Sequence, residues 1–230
     1  MLRAKALAVI VTATALLLSS VGAEAAQNVL LIIVDDLRPE LPVYGSSHIK
    51  APHIESLAES GVVFANAYSN VPVCGASRAS LMTGLRPTRQ RFVGFQSRAN
   101  EDAPDVVPLH AWLKSRGYLT ESIGKVLHHA SDSAAGWSRK PWVPQAVVPQ
   151  ERRTGHSNYY LQENIDAFHN NGAGPAFEVA DVEDGAYFDG QIAAYAVDSL
   201  RRLADQDMPF FLAVGFVKPH LPFTAPRDYW

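Results

Sequence analysis

Four clusters of reactive side chains punctuate the sequence: Asp35-Asp36, Cys74 to Arg78, Lys125 to His129, and Lys218 with His220. Two adjacent carboxylates repel and resist desolvation unless a cation lies beside them. A hard divalent ion such as calcium or magnesium meets that need with oxygen ligands. The same pair could instead open a turn, one side chain capping backbone amides, since Arg38-Pro39 follows closely. Cys74 is the chain's single cysteine, so no intramolecular disulfide can use it. A lone thiol is often a small buried hydrophobe. Just ahead of Arg78, at the start of an expected helix, it would instead face the helix dipole and free backbone N–H groups, a natural place for an anion. Arg78 could fix the nucleophile or a tetrahedral anion through forked hydrogen bonds. A thiolate would be stabilised there too, which leaves a cysteine hydrolase open. Lys125 and Lys218 add positive charge, and His128 and His220 could move protons. Taken singly, each of these four reads more readily as a surface lysine or a structural histidine; it is their convergence on one sheet edge that points to a site.

The elements that must position these groups alternate between strands and helices. Residues 28–34 (Asn-Val-Leu-Leu-Ile-Ile-Val) form a continuous apolar run, the pattern of a central parallel strand buried on both faces. Residues 52–60 read as a helix stopped by Gly61, and residues 62–65 as a strand. Residues 78–83 predict a helix closed by Gly84, residues 109–116 a helix closed by Gly117, and residues 118–123 a strand. Residues 189–204 carry apolar side chains at helical spacing, and residues 209–216 form a second continuous apolar strand. This alternation predicts an α/β fold with a mostly parallel central sheet flanked by helices. Each reactive cluster then falls beyond the carboxyl end of a strand, where open α/β sheets place their ligands. Between the last two strands, residues 130–184 are rich in Pro, Gly, Trp and Asn and predict a long irregular excursion. Its aromatics, Trp137, Trp142, Tyr159, Tyr160 and Phe168, argue against disorder.

Export sets the chemical environment. Residues 1–25 have a basic start, an apolar stretch at 6–18 and the small-x-small pattern Ala23-Glu24-Ala25, which read together as a signal peptide. The stretch is short for a membrane span, and no other segment is apolar enough to cross a bilayer. The expected product is periplasmic or secreted, with no transmembrane segment in the mature chain. Removing the leader takes away Arg3, Lys5 and Glu24, making the formal charge one unit more negative than −3. Nothing in that balance suggests a nucleic-acid partner, which calls for clustered Lys and Arg. Any anionic substrate must be held by local groups.

Cys74-Gly75-Ala76-Ser77-Arg78, followed by Leu81-Met82-Thr83-Gly84 and Arg86-Pro87, resembles the sulfatase motif, written Cys-x-Pro-Ser-Arg with Thr-Gly downstream. Ile33-Val34-Asp35-Asp36-Leu37-Arg38-Pro39, Val43-Tyr44-Gly45, Gly124-Lys125-Val126-Leu127-His128 and Lys218-Pro219-His220-Leu221-Pro222-Phe223 are similar to blocks of the same family, in its iduronate-2-sulfatase branch. The resemblance implies an alkaline-phosphatase-like fold, with residues 27–230 as the amino-terminal portion of a sulfatase catalytic domain. It implies that a maturation enzyme oxidises Cys74 to formylglycine (3-oxoalanine), whose hydrate attacks the sulfur of a sulfate ester and then expels sulfate as the aldehyde re-forms. The substrate implied is a sulfated carbohydrate such as a 2-O-sulfated uronate, for which the excursion's aromatics could supply stacking faces or simply pack. By the same resemblance, Asp35, Asp36 and modified Cys74 would bind one calcium ion. Arg78 would hold the formylglycine, Lys125 would contact diol and sulfate, and His128 would assist turnover of the diol. His220 would contact sulfate and protonate the leaving group, with Lys218 as a further substrate contact or a support for its loop. Ala76 stands where the motif commonly has Pro, which bears on recognition by the maturation enzyme. The family's further metal and sulfate ligands are expected beyond Trp230. A phosphate or phosphonate ester hydrolase of the same superfamily and an inactive remnant are the alternatives.

Overall fold

A computed structural model of the chain describes residues 26–145 and 150–230, and the predicted leader over residues 1–25 lies outside them. In chain order the elements are β1 (Val29–Val34), α1 (Pro52–Ser60), α2 (Cys74–Thr83), α3 (Ala99–Asp102), α4 (Leu109–Ser115), β2 (Leu119–Gly124), α5 (Gln162–Asn171), β3 (Phe177–Ala180), α6 (Phe188–Ala204), β4 (Phe210–Phe216) and β5 (Phe223–Pro226). The main sheet has the order β1-β4-β2, and both outer strands run parallel to β4. This is the expected α/β architecture.

Both apolar runs become strands, but they take different places. β4 is the centre, buried almost throughout its length. Its Phe211 and Ala213 pack with Met82, Leu113 and Trp137 on one side, while Phe210, Leu212 and Val214 pack with Ile192 and Leu203 of α6 on the other. Apolar side chains are wanted on both faces, so alternation disappears from the sequence. β1, read as an innermost strand, is instead an edge of this sheet, with Leu30 and Ile32 exposed. Its composition matched that of β4, but composition carries no information about strand order.

Three further expectations need correction. Residues 62–65 form no strand; Val62 and Phe64 stand in solvent because no strand among the described residues pairs with them. The helix expected over residues 78–83 begins earlier, at Cys74, with Val73 extended as its N-cap and the Ser77 N–H donating to Val73 O at 2.8 Å. Gly84 ends it in the left-handed conformation at φ 70°, donating to Ser80 O. The excursion over residues 130–184 is not irregular throughout: it contains α5 and β3, and β3 pairs parallel with β5 in a small second sheet.

That second sheet is tied to the helices by Glu178, which is 2% exposed. Its Oε1 accepts from the Tyr160 N–H at 2.7 Å and from Tyr187 Oη at 2.7 Å. Its Oε2 accepts from the Leu161 N–H at 3.1 Å and from Asn164 Nδ2 at 2.8 Å. The aromatics expected as sugar-stacking faces are partly spoken for. Trp137 stacks on His110 at 4.1 Å and on Phe211 at 5.9 Å. Trp142 stacks on Tyr195 of α6 at 4.2 Å, while its backbone extends β2 by bonding Ser122 O and the Gly124 N–H. Both are packing residues.

Candidate functional site

The carboxyl ends of β1, β4 and β2 bring three of the four clusters together. Asp35 continues β1, its N–H donating to Phe216 O at 3.2 Å. Lys125 continues β2, its N–H donating to Gly215 O at 2.8 Å. The turn between β2 and Lys125 demands glycine: Gly124 has φ 72°, and a Cβ there would lie 2.3 Å from Gly215 O. Opposite, a Cβ on Gly215 would lie 2.0 Å from Lys125 O. The strands therefore close onto the lysine turn with no side chain between them.

Into this corner α2 projects Arg78. Asp35, Arg78 and Lys125 are 3%, 4% and 5% exposed, respectively. Arg78 Nη2 donates to Asp35 Oδ1 at 2.8 Å, and Lys125 Nζ donates to Asp35 Oδ2. Arg78 Nη1 bonds the carbonyls of Lys125 and Val126. Arg78 was expected to hold the residue at position 74, but these partners take up both of its terminal nitrogens. Burial pushes the Asp35 carboxyl up, yet the Arg78 and Lys125 charges and hydrogen bonds outweigh it and hold the group below its ordinary value. The result is a buried carboxylate flanked by two cations.

Cys74 stands half-buried at the first turn of α2, where N–H groups have no intrahelical acceptor. Its Sγ is 3.3 Å from His128 Nδ1. The His128 ring in turn meets the His129 ring edge-on at 4.7 Å. A cavity of about 460 Å³ opens beside them, lined by Lys125, His128 and His129 and by apolar side chains including Leu127, Val143 and Phe188. Gly75 is needed at its position, since a Cβ would lie 2.0 Å from Phe95 O.

The fourth cluster leaves β4 on a loop with its own fastening. Asp189, in the first turn of α6, accepts the Val217 and Lys218 N–H groups, each at 2.8 Å. Sequence reasoning noted Asp189 only as the start of a helix; an acid at that point is its one local signal. The Lys218 ammonium donates to His220 O at 3.0 Å and to Pro222 O at 2.7 Å, so it braces the loop. His220 is half-buried, with Nδ1 2.6 Å from Leu221 O.

Burial depresses the Lys218 ammonium to about 8, with the Lys125 charge lowering it further and Asp189 and Asp35 opposing. Because the unfolded chain then binds the extra proton above that value, stability is expected to rise with pH from about 8 toward the ordinary lysine range. NMR of the Lys218 Cε and its protons checks this: a midpoint near that of an exposed lysine would contradict the burial.

The expected calcium ligands do not assemble as such. Both oxygens of Asp35 are engaged by cations, and Asp36 is exposed, in the left-handed conformation at φ 53°. Among the described residues, no three His, Cys, Asp or Glu side chains are grouped to hold a metal ion. Calcium takes about six to eight oxygen ligands, so these residues by themselves do not fit it.

Parallel strands flanked by helices, with the nucleophile candidate at a helix start beside the strand ends, form an α/β architecture that solved structures of the alkaline phosphatase superfamily share. Residues 27–230 match the sulfatase family model, and the chain belongs to that family. It is 37% identical over 210 residues to iduronate 2-sulfatase from Homo sapiens, covering 89% of this chain and 37% of that protein. It is 31% identical over 222 residues to a sulfatase from Formosa agariphila, covering 88% of this chain and 41% of that protein. The crystal structure of the phosphonate monoester hydrolase of Agrobacterium radiobacter superposes with a TM-score of 0.63 at 25% identity, over 89% of this chain and 43% of that one. The chain thus spans well under half the length of these relatives.

Proposed function

We propose that the chain carries the nucleophile side of a sulfuric ester hydrolase acting on a sulfated sugar, with Cys74 as the precursor of the nucleophile. The observation that carries this reading is the placement of Cys74 at the first turn of α2, 3.3 Å from His128 Nδ1, in a chain of the sulfatase family. A maturation enzyme with an external oxidant would replace the Cβ–S bond by a carbonyl, giving formylglycine. Sγ therefore stands in for the aldehyde oxygen. Once hydrated, the aldehyde supplies one hydroxyl to take up the sulfuryl group and a second to release sulfate as the carbonyl re-forms.

The chain's own residues serve that chemistry in distinct ways. His128, already against position 74, takes and returns the hydroxyl proton. Lys125, on the wall of the cavity beside His128, is the candidate sulfate contact, and Asp35 and Arg78 hold its turn in place before the anion arrives, which is electrostatic preorganisation. His220 is the candidate to protonate the departing sugar oxygen, on the loop braced by Lys218 and Asp189. Sulfatases generally also use a divalent metal; no step is assigned to it with these residues. Iduronate 2-sulfatase is a human relative matched over 89% of this chain, which favours a sulfated uronate as the substrate class. The signal peptide over residues 1–25 belongs to the same proposal and directs the protein to the periplasm or the medium. Among the described residues no helix is long and apolar enough to cross a membrane.

Mass spectrometry of the peptide containing Cys74, from protein made with the maturation enzyme, tests the reading. The expected result is an aldehyde at position 74, together with turnover of an aryl sulfate in preference to an aryl phosphate. An unmodified thiol in active protein would sink it, and faster phosphate turnover would move the assignment to the phosphate and phosphonate ester hydrolases.

A further inference from the structure

We infer that Phe95 selects the sugar: its ring is the platform on which a pyranose of the sulfated substrate lies, an inference that rests on the sulfatase reading above. Phe95 is 55% exposed although its ring meets the His128 ring edge-on, with centroids 6.0 Å apart and planes at 71°. An exposed phenylalanine is ordinary on a protein surface. This one is held beside the nucleophile by three separate constraints.

The first is packing. Phe92, three residues earlier, is 0% exposed and sits in a cluster with Ala76 and Ala79 of α2. The second is hydrogen bonding. The Phe92 N–H donates to Asp102 Oδ2 at 3.0 Å, the Ser97 N–H to Gly94 O at 3.1 Å, and the Gly94 N–H to Ser97 Oγ at 3.3 Å. The third is close approach. The Phe95 carbonyl lies against Gly75, directly after Cys74, at a distance no side chain could share.

With its backbone fixed this way, Phe95 is already in place before any ligand binds, so a partner gains its contact without the cost of ordering the loop. The chemistry of the partner follows from the neighbours. Lys125 lines the cavity beside His128 and is the candidate sulfate contact, while Phe95 offers an apolar face suited to the C–H-rich face of a pyranose. Of the five aromatics that sequence suggested for this task, Trp137 and Trp142 stack on other rings of the fold. The Phe95 ring meets His128 edge-on, and more than half of the residue is open to solvent.

Calorimetric titration of the chain with a disaccharide bearing a 2-O-sulfated uronate, and separately with inorganic sulfate, tests the inference. Phe95→Ala is expected to weaken disaccharide binding about fivefold relative to sulfate binding, the size of an aromatic contact. Phe95→Tyr, which keeps the ring, is expected to stay within about twofold of the parent. The inference is overturned if Phe95→Ala weakens both ligands by the same factor, since Phe95 would then merely prop His128. It is equally overturned if Phe95→Tyr loses as much as Phe95→Ala, or if the parent chain binds the disaccharide no better than sulfate. Val143→Ser, on the wall of the neighbouring cavity, provides the rival arm: selective loss there with none at Phe95 places the sugar in the cavity and rejects the platform. The aldehyde at position 74 reports separately on the hydrolase reading. Aldehyde present with no effect at Phe95 removes only this inference; aldehyde absent with the selective loss intact supports the platform and removes the hydrolase.

Discussion

Exchanging Asp35 for Asn is expected to lower the stability of the folded chain by about 3–5 kcal/mol, the cost of leaving buried charge without its partner. The substitution keeps shape and removes charge. Arg78 and Lys125, only 4% and 5% exposed, would keep two positive charges side by side with little solvent around them. The dependence on pH has a definite sign. Burial pushes the Asp35 carboxyl up, and the two cations more than reverse that, so its folded-state value lies below the ordinary 3.8. A depressed carboxylate contributes stability that is complete above about pH 4 and fades as the pH falls through the folded-state value. Urea unfolding of both forms at neutral pH and again in acid reads this directly: the gap should be wide at neutral pH and close in acid. A neutral-pH gap below about 1 kcal/mol would mean that solvent, and not Asp35, balances the two cations.

Glu178→Ala is the second large effect, at about 2–4 kcal/mol, because one truncation orphans four donors. Two of these are backbone N–H groups at the entry to α5, one is the Asn164 amide, and one is the hydroxyl of Tyr187 where α6 begins. Tyr187 is additionally held in its protonated form by burial, then by its hydrogen bond to Glu178 and the charge of that carboxylate. Hydrogen exchange offers a local readout: the Tyr160 and Leu161 amides should lose protection in the variant. Unchanged protection at both would show that the carboxylate does not carry this junction.

The residues of the candidate site were legible in the sequence one at a time, but their partnerships were not. Asp35, Arg78 and Lys125 each stood out by type and by position after a strand. That they satisfy one another depends on which strands are neighbours, and residues 35 and 125 meet only because β4 lies between their strands. Local signals were strong where an element is long and periodic, as in α6, or uniformly apolar, as in β4. They misled at residues 62–65, where β-forming residues find no partner strand among those described. They were silent about β3, four residues long, whose place is set by Glu178 and by pairing with β5, 46 positions later. The packing of Trp142 on Tyr195 was likewise invisible, since an aromatic in a loop reads the same whether it stacks on a sugar or on a helix.

The central position of β4 also sets an order of events during synthesis. β1 and β2 hydrogen-bond to β4 and not to each other, so neither has its partner until residue 216 has emerged from the ribosome. Until then Asp35 and Lys125 have not been brought together, and Cys74 is not yet held against His128 by the finished sheet. Parallel pairing over such sequence separations is slow as well as late. Position 74 therefore lacks its finished surroundings until β4, the last of the three strands to be made, joins the sheet.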